Sequence, residues 1–289
     1  MLRIEHAIDM HCHFGPDSVG GSTIGLLAAV TGIEAAREAH ACGHKGLVLK
    51  SHSFASPQYA AAIAEAVPGL CVFGGICTDH PSGDLNIEAV ELSLRLGGRI
   101  VWLPTIHSHQ DWLNGRGELY GTRGDGIHCL DEAGKPNEKV QEIFALVRKH
   151  DAILATGHTT AAEHYAVIKA FARQGKVLVT HAGEEGAGPH LSPEQCRELG
   201  ELGATIELTA LACDPMGPFK GKTTRQMAEM IQAVGHQHCT LATDYGWTVD
   251  LPHPAPGLRN FLERLWAEGV PEAQLNHMVA QKPAELLGL

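Results

Sequence analysis

The sequence predicts an α/β protein: a single (β/α)8 TIM barrel with a long loop insertion after strand four. Three observations lead there. Short apolar runs alternate with longer amphipathic stretches along all 289 residues. Eight such runs occur, and most are continuously apolar, which implies burial on both faces, as in a parallel sheet covered by helices. No linker or shift of composition marks a second domain, so residues 1–289 read as one barrel domain. A doubly wound open sheet has the same local pattern and stands as the structural alternative.

The elements follow in order. The first strand covers residues 4–13. A polar glycine loop leads to a helix over 33–41, closed by Gly43. The second strand is 46–50 (GLVLK), and its helix, 57–66, opens on Pro57, where a missing N–H costs nothing. The third strand is 70–76 (LCVFGGI), followed by a helix over 87–96 that Gly97 and Gly98 end. The fourth strand is 99–103 (RIVWL). Periodicity then stops over 104–136, a stretch rich in Gly, His and Asp, within which GIHCLDEAGKP reads as a small hairpin. It resumes with a helix over 138–149, a strand at 152–156 (AILAT) and a helix over 161–174. Strand 176–180 (KVLVT), helix 193–202, strand 205–208, helix 224–234 and strand 239–243 (CTLAT) complete the alternation. Two helices, 258–268 and 271–287, finish the chain.

Composition narrows the function. With 44% hydrophobic residues, 19% charged residues and 33 glycines, the chain is globular, not disordered, collagen-like or coiled-coil. A net charge of −11 without a basic run is a poor match for nucleic acid or an anionic membrane. None of the eight cysteines forms a C-x-x-C pair, so reduced thiols are expected. MLRIEHAIDMHCHFG contains no apolar signal core, and no run approaches the roughly 20 apolar residues of a membrane span. A soluble, cytoplasmic protein is expected, with a small-molecule substrate and with self-association left open.

The 19 histidines outnumber the 15 Phe, Trp and Tyr residues together, and imidazole is the commonest metal ligand. In a (β/α)8 barrel the active site lies at the C-terminal ends of the strands, so position decides which histidines matter. Strand one ends on Asp9, His11 and His13. Strand two ends on Lys50 and His52, strand three on Asp79 and His80. Strand four leads to His107 and His109, strand five to His158, strand six to His181 and strand eight to Asp244. On a strand, residues i and i+2 share a face. His11 and His13 can therefore chelate one ion from one rigid element, with Asp9 on the same face to orient a ligand. The contexts ILATGH, VLVTH and TLATD repeat one another. In a closed barrel these ends converge, and four histidines with Asp244 would enclose one or two divalent ions.

This set resembles the metal-dependent amidohydrolase superfamily, which carries HxH on strand one, His on strands five and six, and Asp on strand eight. The ending QKPAELLGL is similar to that family's final-helix pattern. The resemblance implies that His11, His13, His158 and His181 are metal ligands and that Asp244 is a ligand and catalytic proton shuttle. One feature departs from it. Dinuclear members often place a carboxylated, bridging lysine at the end of strand four, whereas strand four here ends Val101-Trp102-Leu103-Pro104. The nearest candidates are Lys50 and His107. Lys50 has three open roles: bridging metals, binding an anionic substrate group, or pairing with a carboxylate. Glu207, inside strand seven, needs a buried partner, and Lys50 is one candidate.

The stretch 104–137 is long for a connection and reads as a lid-like insertion. Within it, Arg116 or Arg123 is expected to meet an anionic substrate group, with a solvated excursion as the alternative. The loop GEEGAG after His181 shapes the site but lacks the lysine of a phosphate loop. His40, His44, His150, His164, His236 and His277 fall in helices or at helix ends and read as surface or capping residues. Neutral imidazoles and a carboxylate suit Zn2+ first, and also Mn2+, Fe2+ or Ni2+. The expected chemistry is hydrolysis of a C–N, C–O (ester, lactone, amide) or P–O bond by a metal-activated water, with His181 or His52 stabilising the oxyanion. A metal-dependent decarboxylase and a catalytically silent metal-binding barrel are the alternatives.

Overall fold

Continuously apolar strands need cover on both faces, and the chain supplies it by closing the sheet on itself. The computed structural model describes residues 2–17, 28–217, 221–247 and 251–289. Its strands are β1 (Ile8–Cys12), β2 (Gly46–Leu49), β3 (Cys71–Cys77), β4 (Ile100–Trp102), β5 (Ile153–Ala155), β6 (Lys176–Val179), β7 (Thr205–Thr209) and β8 (Cys239–Ala242). They pair in chain order, all parallel. β8 returns to β1 through a parallel bridge between Cys12 and Tyr245. His13 N–H donates to Tyr245 O (2.8 Å) and Asp244 N–H to His11 O (2.8 Å). This closure makes the fold a (β/α)8 barrel and excludes the open sheet.

The covering helices are α1 (Gly32–Ala41), α2 (Pro57–Ala66), α3 (Ile87–Arg95), α6 (Glu138–Lys149), α7 (Ala161–Phe171), α8 (Pro193–Glu201), α9 (Thr224–Val234) and α10 (Pro254–Ala267). The short α4 (His109–Leu113) and α5 (Gly117–Tyr120) lie between β4 and α6. Local signals explain their ends. Thr31, Thr160, Ser192 and Thr223 each start a helix with a reciprocal capping box, in which Ser or Thr and a Glu or Gln three residues on satisfy each other's backbone donors. The hairpin expected over 126–136 is a tight turn: Leu130 bridges Pro136, and Asp131 N–H donates to Lys135 O (2.8 Å). The expected last helix is three pieces, α11 (Glu272–Asn276), a π-helical turn (His277–Gln281) and α12 (Lys282–Leu287). The glycine loop read after strand one lies largely outside the described residues. No helix among them is long and apolar enough to cross a membrane.

Alternation along the strands divides the core. Val101, Leu154, Val177, Val179, Ile206, Leu208 and Leu241 pack outward against the helices. Ile8, Met10, Val48, Ile100, Trp102, Ile153, Ala155, Leu178 and Ala242 form a second cluster, joined by Leu286 and Leu287 of α12. The barrel interior is thus a filled core, as the fold requires. Each such Leu or Ile stabilises by about 1.5–3 kcal/mol relative to exposure. Trp102 is the top of this plug, and polar side chains take over above it.

Candidate metal centre

Two backbone devices aim the strand-end residues inward. The first is in β1, whose register with β2 shifts between Asp9 and Cys12; such bulges re-aim side chains. Met10 packs with Trp102 in the inner cluster, while Cys12 packs outward with Phe14 and Ala36. His11 and His13 reach the pocket beside them. Asp9 therefore does not orient a ligand ring, as the simple alternation had implied. It accepts from Thr243 N–H (3.0 Å), Thr243 Oγ1 (2.5 Å) and His11 N–H (3.2 Å), tying β1 to β8.

The second device is the repeated threonine. Thr156, Thr180 and Thr243 end three similar strands, and the next residue in each case takes a left-handed backbone: Gly157 (φ 63°), His181 (φ 26°) and Asp244 (φ 58°). At 157 the glycine is required, because a Cβ would stand 2.2 Å from Leu103 O. His181 and Asp244 accept a conformation that costs a non-glycine residue of order 1 kcal/mol or more, a strain that concentrates at functional sites.

The result is a buried convergence. His11 Nε2 and His13 Nε2 each lie 3.0 Å from Asp244 Oδ1. His158 Nε2 faces His181 Nε2 at 2.9 Å. All five side chains are buried. His11 Nδ1 donates to Glu207 Oε2 (3.0 Å), which also accepts His181 N–H (3.0 Å). His158 Nδ1 donates to Asp111 Oδ2 (2.7 Å). These bonds fix the tautomers so that each Nε2 presents a lone pair to the pocket. His11 Nε2 makes no hydrogen bond despite its proximity to Asp244.

Electrostatics fit the same picture. Burial holds His158 and His181 well below the ordinary imidazole range, and burial dominates the similar shift of His13. They are neutral, as ligands must be. Burial also opposes charge on His11, but Asp244 and Glu207 outweigh it and lift its pKa to about 9. Asp244 stays well below the carboxylate range, since His11 and His13 overcome its burial. A divalent ion held at this point would take the place of a proton on His11. Ligand atoms around a tetrahedral zinc lie roughly 3.3 Å apart, given bonds of about 2.0–2.1 Å. The spacing, the neutral rings and the orphaned Nε2 all fit a divalent ion.

The remaining expected residues divide. Lys50 is fully buried, its ammonium 5.9 Å from the Trp102 ring centroid. Its charge acts on His11, His13, His52, His158 and His181. Glu207 pairs with His11 rather than with Lys50. His52 stacks on His13 with centroids 5.1 Å apart, and its Nδ1 meets Thr105 Oγ1 at 2.7 Å. His107 turns to the Tyr120 carbonyl (3.1 Å) and lies against the His80 ring. His80 and His109 point to Asp84 and the Asp125 carbonyl respectively, outside the convergence. Arg123 pairs with Asp84 at 3.0 Å on the surface, which leaves Arg116 as the insertion arginine beside Asp111. His164 is no surface residue: it is buried and bonded to Thr156, Thr159 and Thr160.

Two site residues had not been singled out. Asp111, in α4, is fully buried; besides His158 it accepts Gly188 N–H (3.0 Å). Burial raises its pKa to about 7, against the pull of that N–H. The insertion therefore supplies part of the centre's support. Glu184 is buried with Oε2 3.5 Å from His181 Nδ1. Burial and then Asp244 push its pKa well above the carboxylate range. A Glu three residues after a strand-end His, across a Gly, is a readable signal for it.

Comparisons with known proteins place the chain. No curated protein matches it. Among solved structures it is similar to an amidohydrolase from Pseudomonas aeruginosa (13% identity, TM-score 0.61, 98% of this chain and 95% of that one). It is also similar to the probable dipeptidase PvdM from Pseudomonas aeruginosa (10%, 0.66, 99% and 95%) and to 2,6-dihydroxybenzoate decarboxylase from Rhizobium (11%, 0.58, 99% and 99%). At these identities the likeness establishes a shared barrel fold. Residues 6–207 match a protein family, a span that holds all four histidines of the convergence and ends on Glu207, before Asp244. By that match the chain belongs to the family described as "Family of unknown function (DUF6282)".

Proposed function

We propose that this protein is a metal-dependent hydrolase acting on a C–N, C–O or P–O bond of a small molecule. The observation that carries the reading is the meeting of His11 Nε2, His13 Nε2 and Asp244 Oδ1 at 3.0 Å, beside the 2.9 Å pair of His158 and His181, in a buried pocket. His11, His13, His158, His181 and Asp244 are the residues that would hold the metal, with Zn2+ the best match to the donor set. When bound, a divalent ion lowers the pKa of its water to about 7 and polarises the substrate oxygen. Asp244 takes the proton of the attacking water and passes it to the leaving group. Glu207 and Asp111 hold the rings of His11 and His158 in place. Lys50, with His52 behind His13, meets negative charge on the substrate.

A second reading is a metal-dependent decarboxylase, favoured by the shared fold with the Rhizobium enzyme over almost the whole of both chains. Fold alone does not choose between the two. The test is turnover by Zn2+- or Mn2+-loaded protein on ester, lactone, amide and phosphoester panels, with CO2 release followed on aromatic carboxylates. Hydrolysis supports the first reading and CO2 release the second. The double variant His11→Ala, His13→Ala is expected to lose metal and turnover together; retention of both would falsify the site.

A further inference from the structure

Among the described residues, four groups bring three side chains of metal-ligand type within 4.8 Å of one another. Three of the groups line the barrel mouth. The fourth, His109, Asp125 and His128, lies on the insertion and outside the pocket. Its side chains are accessible: 21% exposed for His109, 46% for His128 and 57% for Asp125.

The backbone assembles this group. Ser108 and Ile127 form an isolated parallel bridge, in which Ile127 N–H donates to His107 O (2.9 Å) and His109 N–H to Ile127 O (3.2 Å). The next residue on each side of the bridge is a histidine, and the two rings stack with centroids 4.1 Å apart. The close approach requires Gly126. Its φ is 92°, and a Cβ there would stand 2.7 Å from Ser108 O and 2.8 Å from His109 N. Asp125, one residue earlier, is thereby brought to both rings. His109 Nδ1 donates to Asp125 O (2.7 Å) and lies 3.8 Å from Asp125 Oδ2, while His128 Nε2 lies 3.1 Å from the same Oδ2. With its Nδ1 proton given to a backbone carbonyl, the neutral His109 ring keeps its lone pair on Nε2, an arrangement common to ligating histidines. The hydrogen bond from His128 holds the Asp125 carboxyl below its ordinary range.

The position also gives an ion there a task. Two residues are about 200° apart around a helix, so His109 and Asp111 leave α4 on opposite sides. The inner side is tied to His158: Asp111 Oδ2 accepts from its Nδ1 (2.7 Å), and Ser108 Oγ donates to its carbonyl (3.0 Å). The outer side faces residues 125–128.

We propose that His109, Asp125 and His128 form a peripheral site for a borderline divalent ion of the Zn2+, Ni2+ and Cu2+ class, which pins the 125–128 segment to the outer side of α4. Two imidazoles and one carboxylate favour such ions over Mg2+ and Ca2+. The site stands apart from the barrel-mouth centre and does not depend on it.

Metal-free full-length protein is dialysed to equilibrium against Zn2+ alone, and bound metal is counted before and after gel filtration. An ion open to solvent leaves on the column, so filtered protein counts the barrel-mouth centre and the difference counts the outer site. Wild type is expected to show a difference of one ion per chain. His128→Ala and Asp125→Asn are expected to bind that ion at least about tenfold more weakly, since losing a ligand costs no less than losing a ligand's support. His40→Ala, which removes an exposed histidine of α1, is expected to keep it. Unchanged melting of the metal-free His128→Ala variant separates lost ligation from lost folding. Zn2+ is also expected to slow tryptic cleavage after the exposed Arg123 in wild type and not in His128→Ala. No difference in wild type, or an ion held equally by His128→Ala and Asp125→Asn, overturns the site. Binding that leaves cleavage unslowed overturns the pin. Filtered wild type without metal overturns the barrel-mouth centre instead and leaves the outer site standing.

Discussion

The two halves of the barrel mouth use the same residue types to opposite ends. On the side of β1, β5, β6 and β8, His11 Nε2 and His13 Nε2 each lie 3.0 Å from Asp244 Oδ1, and His158 Nε2 faces His181 Nε2 at 2.9 Å. On the side of β2, β3 and β4, His52, Asp79, Thr105 and His107 largely satisfy each other. Asp79 Oδ1 accepts Thr105 N–H (2.9 Å) and His107 N–H (3.1 Å), Thr105 Oγ1 bonds Asp79 Oδ2, and His52 Nδ1 meets Thr105 Oγ1. Burial opposes charge on Asp79, but the imidazoles of His107 and His52 outweigh it and hold its carboxyl well below the ordinary range. Cys77 beside it is pushed the other way by burial and stays a thiol. The closed half also brings the ligand atoms of His52, Cys77 and Asp79 within 4.8 Å of one another and leaves His107 Nδ1 without a hydrogen bond. What distinguishes the open half is that two imidazole nitrogens, His11 Nε2 and His13 Nε2, meet one carboxylate oxygen, Asp244 Oδ1, at 3.0 Å.

The comparison can be broken at several points, in falling order of effect. Removing both imidazoles of β1 acts on the open half. Turnover of the double variant His11→Ala, His13→Ala, assayed with Zn2+ supplied, should fall at least about a thousandfold, or about 4 kcal/mol in kcat/KM. Asp79→Ala acts on the closed half. It strands buried donors, so the melt should report a loss of about 3 kcal/mol with metal content unchanged. Equal metal loss in both variants would erase the distinction between the halves. Asp111→Asn keeps its volume but loses the charge behind His158, and metal affinity should fall about 10–100-fold, measured by competition with a chromophoric chelator.

A pH series sharpens the open half. The pKa of His11 is raised to about 9 in the metal-free protein, against an ordinary 6.5. A raised pKa stabilises the metal-free fold fully below 6.5, and that contribution is lost as pH climbs through 9. Metal must displace the same proton. Zn2+ affinity is therefore expected to rise up to about tenfold per pH unit between 7 and 9, and calorimetry in buffers of different ionisation heat should find a proton released. A flat affinity would mean that His11 is not a ligand. The smallest effect belongs to Arg123→Ala. Its surface pair with Asp84 is worth about 0–1 kcal/mol, and neither metal content nor turnover should change.

Much of this was legible in sequence, for identifiable reasons. Buried parallel strands are continuously apolar, so RIVWL and KVLVT stand out. The barrel puts its chemistry at strand ends, so HxH and the repeated Thr-His and Thr-Asp endings could be placed without a structure. Glu207 was visible as a buried charge, but its partner was not, because β1 and β7 do not pair with each other and share only β8 as a neighbour. The β1 bulge that turns Asp9 toward Thr243 leaves no mark in local pattern. Asp111 looked like one polar residue among many in the insertion, and its function depends on His158, 47 residues away.

The sequence by itself determined the order of elements, the closed barrel as the favoured architecture and the ring of candidate ligands, since each follows from periodicity and local spacing. Only the tertiary structure decided which polar atoms are satisfied. That depends on distances between strands remote in the chain, and it separates the bonded network around Asp79 from the open nitrogens facing Asp244. It also brought Glu184 to His181 without a proton donor for its buried oxygen, a relation of space that no spacing of residues encodes.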